Sequence, residues 1–112
     1  MMERRRVVVT GLGAINAIGH NVEETWKSIK DGVCGIAEIT NYDKELTRVK
    51  IAGEVKDFNP ADYLDKKAIR KMDQFTQFGV IAAKEAFKDS GLKIEDINAD
   101  RFGVVVSSGI GG

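Results

Sequence analysis

A continuous run of β-branched residues near the start of the chain limits the possible folds more than any other feature. Residues 7–10 read Val-Val-Val-Thr and are closed by Gly11-Leu12-Gly13. A strand with one face in water alternates apolar and polar side chains, whereas a strand buried on both faces does not need to alternate. The run therefore predicts a central parallel strand, and with it an α/β fold.

A helix is predicted directly after this strand. Asn21 offers the side-chain oxygen that an N-cap needs, and Glu24 follows three residues later as in a capping box. Gly32 is suited to end the helix in the left-handed conformation. Three apolar residues share one helical face, which we expect to point inward. They are Val22, Trp26 and Ile29.

The clearest periodic segment is residues 66–89, which predicts one long helix. Asn59-Pro60 marks a shorter helix start before it, and Asp65 is placed to cap the long helix. Ser90-Gly91 should end it. Small and apolar residues at spacings of three and four would let the helix lie close to a sheet. They are Met72, Phe75, Gly79, Ala82 and Ala86.

The remaining segments predict further strands. Residues 36–39 and 49–55 are short and β-branched enough for strands or extended loops, and residues 102–106 predict a second buried strand. Two core strands and two helices do not close an α/β domain, and a terminus rarely follows a core strand whose edge is uncovered. We therefore expect residues 1–112 to be the incomplete N-terminal part of a longer domain.

Composition excludes several classes of protein. The chain has 112 residues, enough for one small domain, and 17 basic residues balance 17 acidic ones. This balance gives no indication of a nucleic-acid or membrane partner. The single Cys cannot form an internal disulfide, and neither a signal peptide nor an apolar run near the roughly 20 residues of a membrane span is present. We expect a soluble, cytoplasmic protein.

The two glycine-containing segments do not match nucleotide-binding motifs. Gly11-Leu12-Gly13 lacks a third glycine, because position 16 is Asn, and the following helix starts too late to face a phosphate. A structural turn is favoured over cofactor binding. Residues 107–112 (SSGIGG) have neither the lysine of a P-loop nor the frame of a nucleophile elbow. This segment is interpreted as a turn that lines a cavity.

Neither Cys34 nor His20 is predicted to be catalytic. A nucleophilic thiol needs a base or a helix N-terminus, whereas Cys34 follows a helix end. His20, the only histidine, lies beside an N-cap without other metal ligands around it, so we expect a surface or local hydrogen-bonding role. No metal and no cofactor are predicted.

A group of cations at the start of the long helix has two possible explanations. Lys67, Arg70 and Lys71 are spaced i, i+3 and i+4, and Lys66 precedes them. Like charges on one face, in the first turns of a helix, do not stabilise it. The group is either a solvated face or a docking surface for an acidic partner.

Motifs along the whole chain resemble the opening of bacterial β-ketoacyl-acyl-carrier-protein synthases of type II. In chain order they are residues 5–13 (RRVVVTGLG), Trp26, Gly35-Ile36, residues 55–59 (VKDFN), residues 70–73 (RKMD) and residues 108–112 (SGIGG). One departure is residues 16–19 (NAIG), where the family more often has a Ser/Thr-Pro pair before the glycine.

The resemblance implies a thiolase-like fold with layers in the order α-β-α-β-α, of which this chain begins the first βαβαβαββ half. It also implies a cytoplasmic homodimer that condenses acyl groups with malonyl groups on acyl carrier protein in fatty-acid synthesis. The family's catalytic Cys, its two histidines and its lysine belong to motifs that this sequence does not contain. No catalytic residue is therefore assigned.

Two groups of residues inherit a role from the resemblance. Lys67, Arg70 and Lys71 match the family's docking patch for acyl carrier protein. Ile110 matches the residue that gates the acyl pocket, and Gly109 and Gly111 would let the backbone pass close to the substrate. Two alternatives stay open, a ketosynthase of polyketide assembly and a self-contained nucleotide-binding or interaction module.

Overall fold

The computed structural model describes residues 2–112. The helices and strands are α1 (Val22–Lys30), β1 (Ile36–Glu38), β2 (Ile51–Gly53), α2 (Lys66–Ile69) and α3 (Gln74–Ser90). Short 3₁₀ turns are found at Lys44–Leu46, Pro60–Asp62, Ile94–Asp96 and Ala99–Arg101.

Helix α1 begins and ends as predicted. The Asn21 side chain accepts the N–H of Glu24 at 2.8 Å. The Glu24 carboxylate accepts the N–H of His20 rather than that of Asn21, so the reciprocal bond of the capping box is shifted by one residue. At the other end Gly32 has φ 67°, and its N–H and that of Val33 bond carbonyls of the last turn. These bonds form a Schellman motif.

The prediction of one helix over residues 66–89 is wrong, because two helices occupy this stretch. Asp65 caps α2 as expected, accepting the N–H groups of Lys67 and Ala68. However, α2 ends after one turn, and Asp73, with an extended backbone, is the N-cap of α3. The crowded cations favour this break, since like charges at i, i+4 destabilise a continuous helix. The predicted end at Ser90-Gly91 is confirmed, with Gly91 at φ 68°.

Residues 36–39 and 49–55 do contain strands. β1 and β2 pair antiparallel, with Ile36 opposite Gly53 and Glu38 opposite Ile51. Beyond the strands, the N–H of Ile39 bonds the carbonyl of Lys50 at 3.0 Å. The two segments therefore form a small hairpin.

The predicted buried strands at residues 7–10 and 102–106 are not formed. Neither segment pairs with a strand anywhere in residues 2–112, and their side chains are exposed, Val7 by 92% and Val105 by 96%. A strand exists only through hydrogen bonds to a neighbour, and composition does not supply that neighbour. The predictions of buried strands at these two segments are therefore wrong for residues 2–112.

Two glycines attach the N-terminal segment to α3. A Cβ on Gly11 or Gly13 would overlap the backbone carbonyl of Ala86 or Ala82, respectively. Ala82 and Ala86 are approached closely by this unpaired segment and not by the sheet that was expected there. Gly79 differs, since nothing lies within 4 Å of its position.

Two carboxylates of α3 add to this attachment. Glu85 accepts the N–H of Ala14 and that of Val22, each at 2.9 Å, so that one side chain joins the loop to the first turn of α1. Asp89 accepts the N–H of Leu12 at 3.0 Å. Residues 11–22 are therefore fixed to α3 by polar bonds as well as by packing.

Most apolar side chains remain in contact with solvent. Within residues 2–112 the buried residues are Ile39, Leu64, Gln77 and Ile81. The accessible surface is 9711 Å², against about 6100 Å² for a folded monomer of this mass. The radius of gyration is 17.5 Å, against about 13 Å for a compact domain of this length. No helix of this part of the chain is long and apolar enough to cross a bilayer.

Candidate functional site

The cation cluster, defined as Lys67, Arg70 and Lys71, lies on α2 and the turn after it. Lys67 belongs to α2, Arg70 is its C-cap with αR dihedral angles, and Lys71 follows. All three are exposed. No carboxylate of residues 2–112 forms an ion pair with them, because the ion pairs found there use Lys27, Lys44 and Lys50.

The break in the predicted helix changes the electrostatic setting of this cluster. Arg70 and Lys71 follow the C-terminus of α2, where the helix dipole favours positive charge. The prediction that both lie in unfavourable first turns is therefore wrong. Lys67 does lie in the first turn of α2, beside the capping carboxylate of Asp65. The cluster is locally tolerated, and its charge is available to an external partner.

The glycine segment, residues 109–112, runs past the start of α3. Gly111 has φ 93°, and its N–H bonds the hydroxyl of Ser108 at 3.0 Å. A Cβ on Gly112 would lie 2.7 Å from Asp73 Oδ2 and 2.9 Å from Phe75 Cε1. A side chain at position 112 would have to displace the side chain of Asp73 or Phe75, so glycine permits the approach as it stands.

The glycine segment therefore reaches the junction of α2 and α3, close in sequence to the cation cluster. Asp73 follows the cation cluster by two residues and contacts the glycine segment at Gly112. Phe75, in the first turn of α3, contacts the same segment. Sequence reasoning missed the role of Asp73, although an Asp before a periodic helical stretch is a recognisable N-cap signal.

An apolar groove lies between α3 and residues 104–108. Its volume is about 780 Å³. Residues lining it include Phe75, Gly79, Val80, Ala83, Val104 and Val106. Ile110 does not line this groove, and its side chain is completely exposed. The predicted gating role of Ile110 stays a prediction.

His20 has the local hydrogen-bonding role that was expected. Its Nε2 lies 2.5 Å from the carbonyl oxygen of Lys56, and its Nδ1 lies 3.4 Å from the hydroxyl of Tyr63. The Phe58 ring meets the imidazole edge-on. Cys34 is exposed, and its thiol donates to the carbonyl of Ile36 at 3.8 Å. Throughout residues 2–112, no three His, Cys, Asp or Glu side chains are grouped to hold a metal ion.

The glycine turn after residue 10 does not offer a phosphate site. The N–H groups of Leu12 and Ala14 already donate to the carboxylates of Asp89 and Glu85. A phosphate approaching this turn would meet two negative charges instead of free donors. These bonds support a structural role for the segment.

Similarity to known proteins identifies the family. The model of the β-ketoacyl synthase N-terminal domain matches residues 4–112. The chain belongs to the β-ketoacyl synthase family. A curated 3-oxoacyl-[acyl-carrier-protein] synthase 2 of Staphylococcus aureus (strain N315) is 51% identical over 112 residues, which is 100% of this chain and 27% of that protein. The corresponding synthase of Coxiella burnetii is 48% identical over 111 residues, 99% of this chain and 27% of that protein.

Solved ketosynthase structures share the backbone. The ishigamide ketosynthase/chain length factor has a TM-score of 0.74 and 38% identity, covering 85% of this chain and 24% of that one. A type II polyketide synthase acyl-carrier protein in complex with its ketosynthase bound to the hexaketide gives a TM-score of 0.65 and 30% identity, covering 86% of this chain and 25% of that one. The predicted thiolase-like α/β fold of this β-ketoacyl synthase chain is confirmed.

Proposed function

We propose that a synthase carrying this chain elongates fatty acids by condensing an acyl group with malonyl-acyl carrier protein. The observation that carries the proposal is the 48–51% identity to 3-oxoacyl-[acyl-carrier-protein] synthase 2 proteins over essentially the whole chain. The chain spans about a quarter of the length of those relatives. Its own residues contribute docking and substrate contacts rather than the covalent step.

In the proposed reaction the acyl group is held as a thioester on an enzyme thiol. Malonyl-acyl carrier protein loses CO₂, and the electron pair released from that bond forms the new carbon–carbon bond to the acyl carbonyl. The enzyme thiolate leaves and takes up a proton. Cys34 is not assigned this role, because it lies exposed beyond the end of α1 without a base bonded to its sulfur.

The cation cluster is proposed to dock the acidic acyl carrier protein. Three exposed cations, none of them in an ion pair with residues 2–112, form a positive surface that an acidic partner would complement. One structurally similar ketosynthase is described in complex with an acyl-carrier protein. The glycine segment, with Gly109, Ile110 and Gly111, is proposed to border the acyl chain close to this docking surface.

The synthase is also proposed to be a homodimer in the cytoplasm. The family resemblance supports both statements. The exposed apolar side chains of α1, among them Trp26 at 58%, also require cover from residues outside this chain or from a partner.

Polyketide assembly is the second candidate function. It is favoured by the structural similarity to the ketosynthase of a type II polyketide synthase, although identity to that chain is 30%, below the 48–51% of the fatty-acid synthases. Incubating the synthase with octanoyl- and malonyl-acyl carrier protein, without reductases, separates the two. We expect one extension by two carbons in the product mass. Repeated extension to a poly-β-ketone would instead identify a polyketide enzyme.

A self-contained interaction or nucleotide-binding module has little support. The amides of the glycine turn are engaged by carboxylates, and the described residues leave a large apolar surface uncovered. Such a surface is unusual for an independent soluble domain.

A further inference from the structure

The junction of α2 and α3 is held by a buried polar side chain. Gln77, on α3, is 7% exposed, and its Nε2 donates to the carbonyl of Met72 at 3.1 Å and to that of Ile69 at 3.5 Å. Its backbone N–H bonds the carbonyl of Asp73 at 3.0 Å. A buried amide is retained only where its hydrogen bonds are made, so these contacts fix its position.

The two carbonyls that Gln77 binds lie on either side of Arg70 and Lys71. In a continuous helix these carbonyls would accept backbone N–H groups of the next turn. Here α2 is four residues long, which is too short to be stable without tertiary contacts. The backbone N–H groups of Arg70 and Lys71 bond carbonyls of α2. The Gln77 amide adds a side-chain bond from α3 to the same turn, chiefly at the Met72 carbonyl.

We propose that Gln77 is a positioning residue that holds Arg70 and Lys71 in the arrangement that an acidic carrier protein binds. The proposal rests on the docking function proposed above. Without the amide donor, residues 70–73 gain conformational freedom, and docking has to order them again at a cost in free energy. Binding of the carrier protein weakens, whereas the covalent step, to which Gln77 does not contribute, is unchanged.

The test uses Gln77→Met in a synthase that carries this chain, because Met has a similar length and no donor. We expect KM for the acyl-carrier protein substrate to rise about fivefold, the equivalent of one lost hydrogen bond. The kcat, and the KM for an acyl-pantetheine thioester that lacks the acidic protein, should not change. A general loss of structure would impair the reaction with both substrates. A rise in KM for the carrier-protein substrate alone therefore indicates a positioning role.

Gln74→Met is the matched control. Gln74 lies on the same helix, is exposed, and makes no side-chain hydrogen bond with any residue that the structure describes. The proposal is overturned if the two Met variants have the same KM for the carrier protein, or if Gln77→Met impairs both substrates equally. If Gln77→Met does not fold, Gln77→Asn is tested by the same criteria. We then expect a smaller rise in KM for the carrier-protein substrate.

A double variant, Lys67→Ala with Arg70→Ala, separates this proposal from the docking function beneath it. If the double variant leaves the carrier-protein KM unchanged, docking on this surface is wrong, and the role of Gln77 is wrong with it. If the double variant raises this KM and Gln77→Met does not, only the positioning role is refuted.

Discussion

At the scale of single residues, Glu54 ties the hairpin to the loop that follows β1. Its carboxylate accepts the N–H of Asn41, and both the N–H and the hydroxyl of Thr40, at distances between 2.8 and 3.1 Å. Hydrogen bonds from Asn41, and then from the Thr40 hydroxyl, lower the pKa of Glu54 below its ordinary value. The charged form is thus the one that the fold stabilises.

This lowered pKa sets the direction of a pH effect. A carboxyl whose pKa is lower when folded contributes stability above its unfolded pKa, about 4.3, and loses it as the pH falls through the folded pKa. We expect the amide NMR signals of Thr40 and Asn41 to shift together at acidic pH. In Glu54→Gln this transition should be absent. Its persistence would assign the shift to another group.

Position 13 and position 79 should respond oppositely to the same change. Gly13→Ala places a methyl group against the backbone carbonyl of Ala82, and we expect it to lower the free energy of unfolding by about 1–3 kcal/mol. Gly79→Ala meets open space within α3 and should raise it by about 0.5–1 kcal/mol. Denaturant unfolding of the synthase measures both. A similar effect at the two positions would contradict the packing of residue 13 on α3.

Ile110→Phe tests the proposed gate. An added ring occupies volume that long acyl tails need, so acylation by long chains should fall more than acylation by short ones. Initial rates with carrier-protein thioesters of increasing chain length measure this. Val105→Phe, on the same segment and similarly exposed, serves as the control. Equal losses for all chain lengths would exclude a role in the pocket.

At the scale of elements, the one-turn helix α2 is expected to decide carrier-protein affinity by its charge. Lys67→Glu with Arg70→Glu should raise KM for the carrier protein tenfold or more, on the order expected for opposed charges at an interface. The unmodified synthase should lose affinity with added salt, and the variant much less.

Lys93→Glu with Arg101→Glu is the control for this change. It reverses the charge of one Lys and one Arg at exposed positions that follow α3 in the sequence. An equal rise in KM for both double variants would indicate a general effect of net charge instead of a docking surface.

Local signals predicted the ends of elements, but not their pairing. Asn21, Asp65 and Gly91 act on backbone groups within four residues, so their capping roles could be read from the sequence. The break at residues 70–73 was missed although the crowded cations favour it, and the bond from Gln77 of the next helix could not be read from local signals. Strand pairing of residues 7–10 is likewise a long-range property, which composition alone does not determine.

The candidate site divides in the same way. The cation cluster was visible as a pattern of charge, and the family resemblance supplied its role and that of Ile110. The contact of Gly112 with Asp73 and Phe75 joins residues far apart in the chain, which no periodicity reports. Gln77 was missed because a polar residue on a helix is ordinarily assigned to the solvent-facing side.

At the scale of the whole molecule, the uncovered apolar surface predicts the behaviour of residues 1–112 produced alone. We expect no cooperative thermal transition as a monomer, and association through residues such as Val7 and Val105. No acyl-enzyme should form with radiolabelled acyl-acyl carrier protein, since Cys34 lacks an activating base. Circular dichroism and labelling measure these outcomes. A sharp monomeric transition, or labelling at Cys34, would contradict them.

The bond between Glu85 and the first residues of the chain has a consequence during synthesis on the ribosome. Glu85, which bonds Ala14 and Val22, lies 71 and 63 residues downstream of them. Asp89, which bonds Leu12, lies 77 residues downstream. At 5–20 residues per second, these separations correspond to a delay of about 3–15 s. During that time the valines at positions 7–9 have left the ribosome before the helix that anchors their segment exists. The valines at positions 7–9 are therefore exposed for several seconds before their segment can be fixed to α3.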